Sequence, residues 1–189
     1  MIYIYVHFWE LDTEAMRWLS PMMLLGLPFS AIMAPHLTRL IDKRTVLIMF
    51  GSWVILNVNI LILLRLFTDV LPENGDPALL YILLSLAFVT GLVTPALLIT
   101  FNSMFADVAD ELELRTGGRQ EGIIFSARSF GFKASAALAT VLGGIALDLI
   151  GFPRGAEVGE VPDNIVFRLG LVAAPATIVI GMLNLMFFT

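Results

Sequence analysis

Long apolar runs alternate with short charged connections along the whole chain. A helix needs about 20 mostly apolar residues to cross a bilayer, and five runs provide them, namely residues 18–37, 46–67, 78–105, 123–152 and 165–188. The opening segment, residues 1–9, is apolar but too short to cross, and this predicts the end of a helix that starts earlier. The pattern therefore predicts an all-α integral membrane protein with one partial and five full spans.

Composition agrees with a chain whose main partner is the lipid bilayer. Hydrophobic residues make up 58% of the chain and charged residues 14%, whereas soluble domains have about 45–50% and about 25%. There is no basic patch with interleaved aromatic residues, which argues against a nucleic-acid partner. With no cysteine and two histidines, no metal site is predicted. No P-loop, dinucleotide motif or nucleophile elbow is present, so the chain is not predicted to be an enzyme and no catalytic residue or cofactor is assigned.

Basic residues predict the orientation of the spans. The connection around residues 39–44 carries Arg39, Lys43 and Arg44, and the connection at residues 107–120 carries Arg115 and Arg119. The connections on the other side are acidic and carry four basic residues, Arg17, Arg65, Arg154 and Arg168. The positive-inside rule then places the first two connections in the cytoplasm of a multi-pass protein of the inner (plasma) membrane.

Lys133 is a cation inside the fourth apolar run. A cation at the centre of a bilayer costs roughly 2.5–3.5 kcal/mol on insertion scales, so it normally faces a partner or a wet cavity. Ser126, Ser129 and Thr140 share its helical face at spacings of three, four and seven residues. This stripe predicts a cavity that offers hydroxyls and an ammonium to a polar solute. The alternatives are a structural pair with a buried acid, and snorkelling, which would have to reach an interface about ten residues away.

The third run adds polar residues of two kinds. Thr100 and Asn102 lie within the span and are predicted to extend the solute pathway. Asp107 and Asp110 follow at its cytoplasmic mouth, where carboxylates and arginines are predicted to form a gate that breaks and re-forms during transport. The arginines of this gate would be Arg115, Arg119 and Arg128. The alternative is a solvated loop whose ion pairs contribute only about 0–1 kcal/mol each.

Small residues on the fourth run predict close helix packing. Ser135, Ala139 and Gly143 recur every fourth residue, a spacing that lets a second helix approach closely.

Residues 104–133, MFADVADELELRTGGRQEGIIFSARSFGFK, carry a family resemblance. The Ala-Asp-Val-x-Asp core at residues 106–110, the Arg-Gln-Glu-Gly element at 119–122, and Ser126, Ser129 and Lys133 resemble the glycoside–pentoside–hexuronide:cation symporters. This family, which includes the melibiose permease, belongs to the major facilitator superfamily. The resemblance is to the C-terminal half, so it implies a six-helix half of a major facilitator fold with its first helix truncated, forming one unit over residues 1–189.

The resemblance implies a cation-coupled symporter that moves a sugar, a glycoside or a related small polar solute by alternating access. The coupling Na⁺ or H⁺ would bind in the N-terminal half of the same transporter, which is the expected protein partner. Family members commonly carry an uncharged amide at the position of Arg128, so the resemblance favours a structural or gating role for this arginine over a sugar contact. The alternative function is a non-transporting membrane scaffold or partner-binding protein with the same fold.

Overall fold

The computed structural model describes residues 2–153, 155–156 and 160–186, apart from the side chains of residues 58 and 184. The elements in this part of the chain are all helical. They are a π-helix at Ile4–Phe8 and five α-helices: α1 (Thr13–Leu40), α2 (Lys43–Phe67), α3 (Pro77–Thr116), α4 (Glu121–Leu149) and α5 (Asp163–Met186). All five α-helices are long and apolar enough to cross a membrane. The all-α prediction is thus confirmed; Met1, Arg154 and residues 187–188 of the last predicted run lie outside the described residues.

The helices begin and end at residues that satisfy or remove free backbone groups. Asp12 caps α1, because its carboxylate accepts a hydrogen bond from the Ala15 amide at 2.6 Å. Asp76 caps α3 in the same way, with Pro77 at the first helical position. Gly117 ends α3 with φ of 72°, a left-handed conformation that favours glycine.

The third helix is longer than its apolar run. It ends at Thr116 rather than at residue 105, so most of the predicted 107–120 connection is helical and the true connection is residues 117–120. The charged segment contains no glycine or proline before Gly117, and an Arg115–Glu111 pair at i,i+4 stabilises its last turns. Hydrophobicity alone could not show this extension, since a helix that leaves the bilayer has no need of apolar residues.

Helices α1 and α3 touch through their backbones. A Cβ atom added to Gly91 would lie 1.9 Å from the carbonyl oxygen of Met23, and one added to Gly26 would lie 2.5 Å from the carbonyl carbon of Gly91. Only glycine fits at either position without displacing the neighbouring helix. In lipid, burial of apolar side chains does not drive helix association, because lipid tails are equally apolar. The van der Waals contacts of such a close approach therefore stabilise the helix pair.

The other buried apolar residues form two clusters, and polar contacts between helices lie between these clusters. One cluster includes Phe8, Trp9 and Leu79, and the other surrounds Val46 and Ala96. Two hydrogen bonds connect neighbouring helices between them: Asn57 Nδ2 donates to Thr90 Oγ1 (3.0 Å), and Thr177 Oγ1 donates to Asn59 Oδ1 (2.6 Å). These bonds tie α2 to both α3 and α5, and comparable bonds in a membrane bundle contribute about 0.6 kcal/mol on average.

Helix α4 stands apart from this bundle. None of its residues is buried, and the helix that it contacts most is α3, while Ile150 and Phe152, which follow it, are buried in the first apolar cluster. Ser135, Ala139 and Gly143 are exposed, and a Cβ on Gly143 would meet no atom within 4 Å. The close helix approach expected at these three residues is therefore absent from the described part of the chain. Among the described helices, α1 and α3 approach each other backbone to backbone, at Gly26 and Gly91.

Candidate functional site

The polar stripe of α4 is exposed, as is every residue of this helix from 129 to 145. Ser126, Ser129, Lys133 and Thr140 are all exposed. The Thr140 hydroxyl donates a hydrogen bond to the carbonyl of Ala136 at 3.0 Å, within its own helix. Lys133 makes no ion pair with any carboxylate of the described residues. Its ammonium, a donor of three hydrogen bonds, is thus presented on a face that the described helices do not cover.

The two polar residues predicted on α3 have different surroundings. Thr100 is fully buried, and its hydroxyl donates to the carbonyl of Ala96 at 2.9 Å. Asn102 is half-buried, and its side-chain oxygen Oδ1 is shielded from solvent with no hydrogen-bond partner among the described residues. A shielded amide oxygen without a donor carries a cost of about 1–3 kcal/mol, so this is a position that a donor would stabilise. No described hydrogen bond joins either residue to the α4 stripe.

Ion pairs gather at one end of the bundle, called here the basic end, which holds residues 39–44 and the last turns of α3. Lys43 Nζ lies 2.6 Å from Asp107 Oδ2 and links the start of α2 to α3. This contact places the two basic connections at the same end of the molecule, as the charge pattern predicts. The side chains of Lys43 and Asp107 are 30% and 60% exposed, so in isolation the pair is worth about 0–1 kcal/mol.

Two arginines near the end of α3 form ion pairs with glutamates. Arg115 pairs with Glu111, and Arg119 lies 3.6 Å from Glu113 and 3.8 Å from Glu121. Arg119 therefore connects the end of α3 to the start of α4. Asp110 is exposed, and none of the ion pairs described in the structure includes it. The predicted cluster is present as separate pairs, and its contact with Asp107 comes from a lysine that the sequence reasoning did not assign to it.

Arg128 contacts an aromatic ring. Its guanidinium carbon lies 5.9 Å from the centroid of the Phe105 ring on α3, within the range of a cation–π interaction. Phe105 also meets Phe101 edge-on, with their ring centroids 5.0 Å apart. Arg128 is half-buried on a helix that is otherwise largely exposed. It is therefore the residue of the predicted gate that lies between α3 and α4.

A separate, mainly apolar cavity of about 380 Å³ lies in the bundle. It is bounded by the π-helix, α1, α2 and α3, and its polar lining includes Ser20, Asn57 and Thr90. Neither α4 nor any of the predicted site residues lines it. The described residues hold no cluster of three or more His, Asp or Glu side chains that could bind a metal ion.

Comparison with known proteins gives one match. A family model described as MFS/sugar transport protein matches residues 1–189 of the chain. Neither the curated proteins nor the solved structures contain a match. The match favours a transporter over a scaffold that merely shares the fold.

Proposed function

Because the chain belongs to the MFS/sugar transport protein family, we propose that it is the C-terminal half of a secondary transporter that moves a sugar or related small polar solute by symport with Na⁺ or H⁺. Members of this family are membrane transporters, and the five membrane-capable helices of the chain suit that role. The more specific assignment to the glycoside–pentoside–hexuronide:cation symporters rests on the motif in residues 104–133 and on the α4 stripe that ends it.

The observation that carries this proposal is the exposed ammonium of Lys133 in the middle of a membrane-capable helix, with no ion pair to any of the described carboxylates. Lipid would make that position costly, so the exposed face needs a polar surface opposite it. Ser126 and Ser129 lie on the same face and offer hydroxyl donors and acceptors. Sugar hydroxyls, a carboxylate of the N-terminal half, or water in a solute path would each satisfy these groups.

The basic end supplies contacts suited to a cytoplasmic gate. The Lys43–Asp107 pair connects α2 to α3, and Arg119 connects α3 to α4 through Glu113 and Glu121. These pairs are exposed, so each is weak enough to break and re-form as the two halves rock during alternating access. We assign the gating role first to Lys43 and Asp107, because they join helices that are far apart along the chain.

The experiment is uptake by cells that express the complete protein containing this chain. A panel of radiolabelled pentoses, hexoses and disaccharides would be offered with an imposed Na⁺ gradient, an imposed proton gradient, or both gradients collapsed by ionophores. The proposal predicts accumulation of at least one sugar under one of the two gradients, and only equilibration once the gradients are collapsed. Accumulation that persists without either gradient, or no uptake across the panel above cells lacking the protein, would contradict it.

A further inference from the structure

We propose that Arg128, whose guanidinium carbon lies 5.9 Å from the centroid of the Phe105 ring, is a positioning residue that sets the placement of α4, and with it the direction of the polar stripe, against α3. This inference rests on the proposed function for the meaning of the stripe, but the contact itself is a property of the folded chain. It concerns a residue that the family resemblance does not explain, since Arg128 departs from the uncharged amide common at that position.

Few contacts hold the N-terminal part of α4. The helix has no buried residue between Glu121 and Leu149. Its C-terminal end is held, because Ile150 and Phe152, which follow it, are buried in the first apolar cluster. The connection at its other end contains Gly117, with φ of 72°. Glycine gives little stiffness to a turn, so this connection alone leaves the angle of the first turns of α4 against α3 weakly defined.

The Arg128–Phe105 contact can define the angle of α4 against α3. The guanidinium is planar and stacks on aromatic faces, and it remains charged at every accessible pH. Phe105 is held in turn by the edge-on ring of Phe101, one helical turn earlier on α3. The guanidinium therefore lies within cation–π distance of a ring that a second ring supports, and this contact connects the two helices. Arg119 adds ion pairs near the connection, but these are exposed and act at the start of the helix.

Holding Arg128 against α3 fixes where the stripe points. Lys133 follows Arg128 by five residues, which corresponds to about 140° of rotation around the helix axis. When Arg128 faces α3, Lys133 must therefore face away from α3, toward the uncovered side of the molecule. Loss of the contact would loosen the N-terminal part of α4 and would spread the directions available to the ammonium and to Ser129.

The test measures the placement of α4 directly and needs no solute. The natural chain contains no cysteine; in the complete protein, any cysteines elsewhere would be replaced first. Spin labels at cysteines introduced at Leu98 on α3 and Leu138 on α4, both exposed, then report the α3–α4 distance by pulsed electron resonance. A second pair at Trp53 on α2 and Leu98 reports on the bundle that does not include α4.

The variants test the contribution of the guanidinium and that of the aromatic ring separately. Arg128→Met keeps much of the apolar stem and removes the charge, while Phe105→Leu keeps an apolar side chain and removes the aromatic face. Each is expected to broaden the Leu98–Leu138 distance distribution at least twofold, and the double variant is expected to be no broader than either single variant. Phe105→Trp preserves an aromatic face and is expected to keep the distribution narrow. The Trp53–Leu98 distribution should stay unchanged in all of them.

Three results would overturn the proposal. They are an unchanged Leu98–Leu138 distribution in Arg128→Met, additive broadening in the double variant, and equal broadening of the Trp53–Leu98 pair, which would show a general packing role. None of these results depends on sugar uptake. A protein that accumulated none of the tested sugars would count against the proposed function and would leave the assignment of Arg128 standing.

Discussion

The polar residues within the helices are of two kinds: some have an interaction partner in the described structure, and others do not. Asn57, Asn59 and Arg128 have one within the bundle, whereas Lys133 has no charged partner there. The sequence predicted Lys133 as the anomalous residue because an isolated cation in an apolar run is visible without any fold. It could not predict Lys43 as the partner of Asp107, since these residues lie on different helices and only the packing of α2 beside α3 brings them together.

The Lys43–Asp107 pair gives a prediction at the residue scale. If it forms part of the gate, Lys43→Asp or Asp107→Lys alone should reduce sugar uptake by the complete protein about tenfold or more, because two like charges then replace an attractive pair. The double exchange, Lys43→Asp with Asp107→Lys, restores an attractive pair and should recover much of the uptake. The measurement is initial uptake rate, corrected for the amount of protein in the membrane.

The matched control for this exchange is an exposed pair near the start of α1, outside the predicted gate. Arg17→Glu with Glu14→Arg reverses charges within one helix, and this pair joins no two helices. Its single variants should retain most of the uptake. Failure of the Lys43–Asp107 double exchange to recover uptake, with normal membrane levels, would remove the pair from the gate.

At the scale of elements, hydrophobicity predicted which segments are helices better than where they end. Each apolar run overlaps one of the helices α1 to α5, because a bilayer requires about 20 apolar residues in succession; the fourth run ends at residue 152, three residues beyond the end of α4 at Leu149. The ends depend on local features outside the apolar runs, such as the Asp12 cap of α1 and the charged extension of α3 to Thr116. The sequence predicted which helices pack closely less well than it predicted the helices themselves. The spacing of small residues on α4 predicted close packing there, whereas backbones come into contact at Gly26 and Gly91, on α1 and α3.

This glycine contact yields a stability prediction at the element scale. Gly91→Ala places a methyl group 1.9 Å from the Met23 carbonyl and forces α1 away from α3. Overpacking of this kind costs about 1–3 kcal/mol, which outweighs the gain of up to about 1 kcal/mol from replacing a helical glycine by alanine. The variant should therefore lower the thermal unfolding midpoint of the purified protein in detergent.

The control is Gly143→Ala on α4, where no atom lies within 4 Å of the added carbon. It gains the same helix propensity without a clash, so its unfolding midpoint should stay equal to or rise above that of the parent protein. Equal midpoints for Gly91→Ala and Gly143→Ala would show that α1 and α3 do not depend on the glycine contact.

At the scale of the whole molecule, a four-helix bundle of α1, α2, α3 and α5 carries a fifth helix on its side. The bundle has apolar clusters, inter-helix hydrogen bonds and a glycine contact, while α4 holds the polar stripe on a face left open. Composition predicted a membrane protein, and the family match establishes a transporter family. What the sequence could not show is that the stripe and the bundle are separate, because exposure of a helix is a property of the assembled fold.

The central claim is that the α4 stripe lies on the solute path, and uptake by stripe variants of the complete protein tests it most directly. Lys133→Ala should abolish accumulation of the transported sugar, and Ser129→Ala should reduce it severalfold, with membrane levels unchanged. Ser135→Ala makes the same chemical change on the same helix, about 160° around from Lys133, and should leave uptake near that of the parent protein. Undiminished accumulation in Lys133→Ala, or equal losses in Ser129→Ala and Ser135→Ala, would contradict the account.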